Sequence, residues 1–200
     1  MSTDMWKRVR FALLLTLLLS AVAGCTQTVD FDVKVIQTID MDDLVAPYVQ
    51  SSTSTINIPG GVEIPISAGE VTNLSELDNS FSAILGDGSE IELLSIQYQV
   101  ISNTSNTSMP SLRLSAAPMA TAGFEDSVLV ARLPVIPPRT RSEIGEVPWV
   151  PQGRDTMEEA MQALVFTTFT SGTLVLEEGD PVPTGELEIH LTISARTVSK

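Results

Sequence analysis

Residues Glu186–Arg196 read ELEIHLTISAR and alternate without a break. Leu187, Ile189, Leu191, Ile193 and Ala195 fall on one side; Glu188, His190, Thr192, Ser194 and Arg196 fall on the other. A period of two is that of a β-strand with one face buried and one wet. The same pattern opens the chain after residue 28, where Val29, Phe31, Val33 and Val35 oppose Asp30, Asp32 and Lys34. It recurs near the middle, with Leu94, Ile96, Tyr98 and Val100 against Ser95, Gln97 and Gln99. Three such segments imply sheets that are solvated outside and packed inside.

Weaker segments fill the intervals. STINIP (54–59) stops at Pro59-Gly60-Gly61, and VEIPI (62–66) follows, its Pro65 indicating an edge strand. FSAIL (81–85) runs into Gly86-Asp87-Gly88, a hairpin signal that would pair it with residues 90–100. SLRLSA (111–116) and SVLVARL (127–133) come next, the latter ended by Pro134. GTLVLEE (172–178) turns through GDPVPTG (179–185) and reads as a hairpin with the last strand. Eight or nine short strands separated by turn residues predict an all-β fold, a two-sheet antiparallel β-sandwich.

Helical signals are few. DTMEEAMQALVF (155–166) predicts one short helix near 156–165, with Asp155 as cap and Glu158 at the spacing of a capping box. Met157, Ala160, Met161 and Leu164 form its apolar stripe, suited to covering one end of the sandwich. DMDDLVAPY (40–48) predicts a single turn cut by Pro47. SNTSNTSMPS (102–111) is a polar loop, and the proline-rich tract 134–153 is a long stiff connection.

The N-terminus carries a different signal. Lys7, Arg8 and Arg10 precede an uncharged run, Phe11–Gly24, in the layout of a secretory signal. That run is short of the ~20 apolar residues needed to span a bilayer, and polar CTQTVD follows it at once. Val22-Ala23-Gly24-Cys25 resembles the lipobox of bacterial lipoproteins, and Cys25 is the only cysteine in the chain. The resemblance implies that residues 1–24 are a removable signal peptide and that Cys25 is acylated. It also implies a lipidated tether over 25–30; the 176 residues left without 1–24 are enough for one domain, a single β-sandwich over 28–200. Two or three acyl chains hold a protein on a membrane where one does so only marginally. Thr26, in place of an aspartate, resembles outer-membrane sorting. The arrangement of lipobox, alternating strands and one late helix is similar to that of uncharacterised β-rich lipoproteins of Gram-negative bacteria, a likeness that carries no functional residues across.

Charge narrows the partners. Without residues 1–24 the chain keeps 8 basic and 24 acidic residues, a net charge of −16. Such a surface repels phosphate backbones, which disfavours nucleic acid as a partner. Acylation of Cys25 leaves no thiol for a disulfide, so packing must supply the stability. A transmembrane β-barrel would need girdles of aromatics, and residues 25–200 hold eight, scattered.

Chemistry finds little support in the residue inventory. A nucleophilic triad or a zinc site would have to be built on one histidine, His190, which sits on the polar side of its strand. Oxygen-ligand clusters are offered by Asp40, Asp42 and Asp43, and by Asp87, Ser89 and Glu90, neither with the twelve-residue calcium-loop pattern. The feature best suited to binding is Trp149, set between Pro148 and Pro151. Held on a stiff loop it loses little entropy on association and suits an interaction anchor; the structural alternative is that it closes the core. The reading is a non-enzymatic envelope lipoprotein with no metal or cofactor, tethered to a membrane, expected in the outer membrane, with a structural or protein-interaction role. The alternatives are a calcium- or carbohydrate-binding module and a carboxylate-based hydrolase.

Overall fold

The structure is a computed structural model that describes residues 28–49, 53–77, 89–118 and 123–198. Cys25 and the expected hairpin at 81–88 lie outside the described residues. The chain forms two four-stranded antiparallel sheets and little helix.

Sheet 1 contains β1 (Thr28–Asp40), β3 (Glu90–Asn103), β6 (Gly145–Glu146) and β8 (Glu186–Val198), in the order β1-β8-β3-β6. Sheet 2 contains β2 (Val62–Asn73), β4 (Arg113–Ala117), β5 (Val128–Arg132) and β7 (Val165–Leu176), in the order β2-β7-β4-β5. The two inner faces supply one continuous core, from Phe31, Val33 and Val35 on β1 to Ile64 and Ile66 on β2 and Leu174 and Leu176 on β7. Pro65 lies in an edge strand, where its missing N–H costs no ladder bond.

The opening stretch sits at the centre of sheet 1. β8 pairs with β1 from Thr28↔Val198 to Asp40↔Glu186 and with β3 on its other side. Every second residue from Leu187 to Ala195 is buried, as alternation requires. β3 departs from the simple pattern: a register shift between Leu93 and Ser95 places Leu93 in the core and leaves Leu94 43% exposed. One extra residue reverses the face of those that follow, which is why Leu94, expected inside, points out.

Two expected elements are corrected. β7 and β8 belong to different sheets, so residues 177–185 form a crossover between sheets, not a hairpin. Its turn is held by Asp180, whose Oδ2 accepts the Glu177 N–H at 2.8 Å, and it ends on Gly185 with φ +95°. STINIP contributes only an isolated bridge, Thr55↔Pro181, that ties this end of the sandwich together.

The described residues also form three α-helical segments, α1 (Met41–Val45), α2 (Leu74–Leu77) and α3 (Gly153–Gln162), and a 3-10 turn at Phe124–Asp126. Asp40 caps α1, its Oδ1 accepting the N–H groups of Asp42 and Asp43. α3 starts earlier than the sequence suggests. Gln152, with φ +66°, precedes it, and Asp155 lies inside the first turn without a capping bond. The cause is tertiary: Gly153 lies against the backbone of Val130, where any side chain would collide with the Val130 carbonyl oxygen. Met157, Ala160 and Met161 are buried as the stripe predicts.

The proline-rich tract is a strap along one flank. From the end of β5 it bonds to the segment before β4 through Leu133 N–H on the Leu112 carbonyl, 2.8 Å. It then follows the edge of β3, where Ser142 Oγ accepts the Val100 N–H at 2.9 Å and β6 pairs with Gln97 and Tyr98. It returns to β5 through the bridge Ala131↔Trp149.

Candidate functional site

The polar face of α3 lies against the open edge of β3. Arg154, Glu158 and Gln162 recur at intervals of four and share one face of the helix. Glu158 Oε1 accepts the Leu93 N–H at 2.9 Å, and Arg154 donates to the Leu93 carbonyl. Gln162 Oε1 accepts the Ile91 N–H at 3.1 Å while its Nε2 donates to the Ser89 carbonyl at 3.0 Å. Side chains of a helix thus satisfy main-chain groups that another strand would otherwise pair, and they protect the edge from intermolecular pairing.

Beside this seam is an open cleft of about 450 Å³ lined by Glu90, Ile91, Glu92, Arg154, Asp155, Glu158 and Val198. Arg154 stands 3.2 Å from Glu158 and 3.6 Å from Glu92. Glu158 is committed to a guanidinium and a main-chain N–H, as a member of a structural seam.

The residues singled out by sequence are spread over the molecule. Trp149 is half-buried at the edge of β5 and packs against the core. His190 is on the outer face of sheet 1, 2.6 Å from Glu188. Asp40 caps α1, and Asp42 Oδ2 accepts the Gly185 N–H at 3.2 Å, so two of the three aspartates of that cluster serve main-chain groups. Glu90 lies at the cleft, and Asp87 lies outside the described residues. Among the described residues no three of His, Cys, Asp and Glu gather as a metal site would require.

One group escaped the sequence reading. Glu70 sits on β2 between Ala68 and Thr72, and these residues share parity with the core residues Ile64 and Ile66. Its carboxyl therefore faces inward, opposite Thr168 of β7. Burial pushes its pKa up to about 7, because removing a carboxylate from water disfavours the charged form. Thr72 and Thr170 lie on the same inner surface, and their hydroxyls are buried without hydrogen-bond partners. This end of sheet 2 is a polar inset in an otherwise apolar interior.

No protein-family model and no curated protein matches this chain. Among solved structures, one titled Desmodium yellow mottle tymovirus aligns over 92% of this chain and 94% of that one, at 7% identity and a TM-score of 0.29. A likeness at that level carries no argument about the fold or the function of this chain.

Proposed function

We propose that the protein is a non-enzymatic bacterial envelope lipoprotein, a β-sandwich held to the outer membrane by acyl chains on Cys25, with a structural or protein-interaction role. The observation that carries the reading is the coincidence of the single cysteine with the last position of Val22-Ala23-Gly24-Cys25, behind a basic segment and an uncharged apolar run. The first described strand begins at Thr28, three residues after Cys25. At no more than ~3.6 Å per residue, such a tether keeps that end of the sandwich within about 11 Å of the Cys25 Cα. Trp149, half-buried at the β5 edge, is the anchor proposed for a protein partner in the envelope.

The test is metabolic labelling with palmitate in a Gram-negative host, read on the full-length protein and on Cys25→Ser. Labelling of the parent, with loss of label and release from the membrane pellet in the variant, is the expected result. An unlabelled parent, or a variant that stays in the pellet, defeats the proposal.

A further inference from the structure

Residues 93–142 contain four arginines and two acids, Glu125 and Asp126, in a chain whose net charge is −14. The fold brings two of those arginines together. Arg113 on β4 is the direct partner of Arg132 on β5 and, on its other side, of Ser171 on β7. Ser171 is in turn the partner of Ser67 on β2. Residues directly opposite in an antiparallel ladder project from the same face. The neighbouring pair Leu114↔Ala131 is buried in the core, so Arg113 and Arg132 point outward, and both are exposed. The outer face of sheet 2 therefore bears a transverse row, Ser67, Ser171, Arg113, Arg132. With strands ~4.8 Å apart the row is about 14 Å long.

Like charges directly opposite destabilise a sheet, and no carboxylate among the described residues relieves this pair. Arg154 and Arg196 each meet a carboxylate, whereas neither Arg113 nor Arg132 has an ion-pair partner among the described residues. Glu125 and Asp126 lie in the turn before β5, where Asp126 is engaged by the Gly123 N–H. The Ser171 hydroxyl is likewise without a partner among the described residues, although the residue is only 8% exposed. In a chain with 25 acidic residues, two adjacent guanidiniums with no ion-pair partner among the described residues are a local exception to the overall charge.

We propose that this row is a binding site for a phosphate-class oxyanion, with Arg113 and Arg132 forking its oxygens and Ser171 donating a third hydrogen bond. A guanidinium presents paired donors in a fixed plane that matches phosphate oxygens. Two side by side balance a dianion, which a single carboxylate would not do. The negative charge of the rest of the molecule opposes the approach of any anion, so binding depends on these local donors. The site stands independently of the acylation proposed at Cys25.

The test is calorimetric titration of the full chain, purified in non-ionic detergent, with two probes. Inorganic phosphate represents a free anion; glycerophosphoglycerol represents the headgroup of an anionic phospholipid. Saturable millimolar binding of either is expected, and the tighter probe identifies the source. The double variant R113Q/R132Q should weaken binding at least fivefold with an unchanged far-ultraviolet circular dichroism spectrum. R139Q/R141Q removes the same charge from the strap and should change binding less than twofold. The proposal fails if neither probe binds, if R113Q/R132Q binds like the parent, or if R139Q/R141Q loses as much as R113Q/R132Q.

Discussion

The outer face of sheet 1 is charged and wet; that of sheet 2 is largely uncharged and, along β7, covered. On sheet 1, Asp30, Asp32 and Lys34 on β1 lie beside Arg196, Ser194 and Thr192 on β8, with Arg196 holding Asp30 at 2.6 Å. On sheet 2, β7 is buried on both faces from Phe166 to Ser171, and Phe124 lays its ring edge-on against Phe169 at 5.9 Å. The inner faces differ in the opposite sense. Sheet 1 presents an almost unbroken apolar surface from β8, whereas sheet 2 turns Glu70, Thr72, Thr168 and Thr170 inward. Sheet 1 departs from the separation of apolar from polar at single positions, among them Gln37 and Thr197 inward and Leu94 outward, whereas sheet 2 breaks it on both sides over several neighbouring residues. Departures of that kind need either a compensating partner or a use.

The largest expected effect tests the regular sheet. Leu191 is fully buried at the centre of β8, so Leu191→Ala should lower unfolding free energy by about 3 kcal/mol in urea denaturation. A loss below 1 kcal/mol would mean that β8 is not the keystone of sheet 1. Glu158→Ala removes the acceptor for the Leu93 N–H and should cost about 1.5 kcal/mol, since a strand-edge donor is then left unpaired. The same measurement on Asp155→Ala, which makes no capping bond, should show much less.

Two substitutions probe the irregular sheet with the opposite sign. Thr170→Val deletes a buried hydroxyl that has no partner while keeping the shape of the side chain, and should raise stability by about 1 kcal/mol. A destabilised variant would show that the hydroxyl is satisfied in solution. Glu70→Gln adds a dependence on pH. The folded protein holds the Glu70 proton up to about pH 7, and the unfolded chain releases it near 4.5. Between those values the native state binds more protons, so the parent loses stability as pH rises through the interval. At pH 8 the variant should be more stable by about 1 kcal/mol, less than the full shift implies because Glu70 is only half-buried and water screens it. At pH 4 the two should coincide, and a constant difference across the range would remove the inward carboxyl as its source.

The smallest effect concerns the arginine row. Arg132→Glu converts a like pair into an opposite one and should add about 0.5 kcal/mol to stability, even as it abolishes the proposed oxyanion binding. A gain in stability accompanied by loss of binding would mark the pair as retained for a ligand.

The contrast between the sheets also explains what could be read from the residues. β1 and β8 were legible face by face because each has one wet side, and Leu187 to Ala195 needed no tertiary information. β7 was not, because Thr167, Phe169 and Ser171 are covered from outside and Thr168 and Thr170 face in, which erases any period of two. The turn after β7 contains the same Gly, Asp and Pro residues whether the chain reverses within a sheet or crosses to the other, so GDPVPTG misled. The start of α3 was hidden for a related reason: Gly153 is required by the nearby Val130 backbone, a neighbour that sequence order does not announce. For the sites, the proposal at Cys25 rests on a local pattern of four residues and needs no tertiary information. The Arg113–Arg132 pair depends on a register between two strands; its only trace in one dimension is the shortage of acids between residues 93 and 142.

The pairing of β1 with β8 has a consequence in time. The strand that completes sheet 1, β8, follows the other described strands in the chain, and its partner β1 precedes them, with Val29 N–H reaching Thr197 Oγ1 across 168 positions. Until β8 is synthesised, β1 and β3 have no neighbour between them. A nascent chain is therefore barred from closing this sheet before β8 is available, and its closure depends on a contact of the longest sequence separation in the fold.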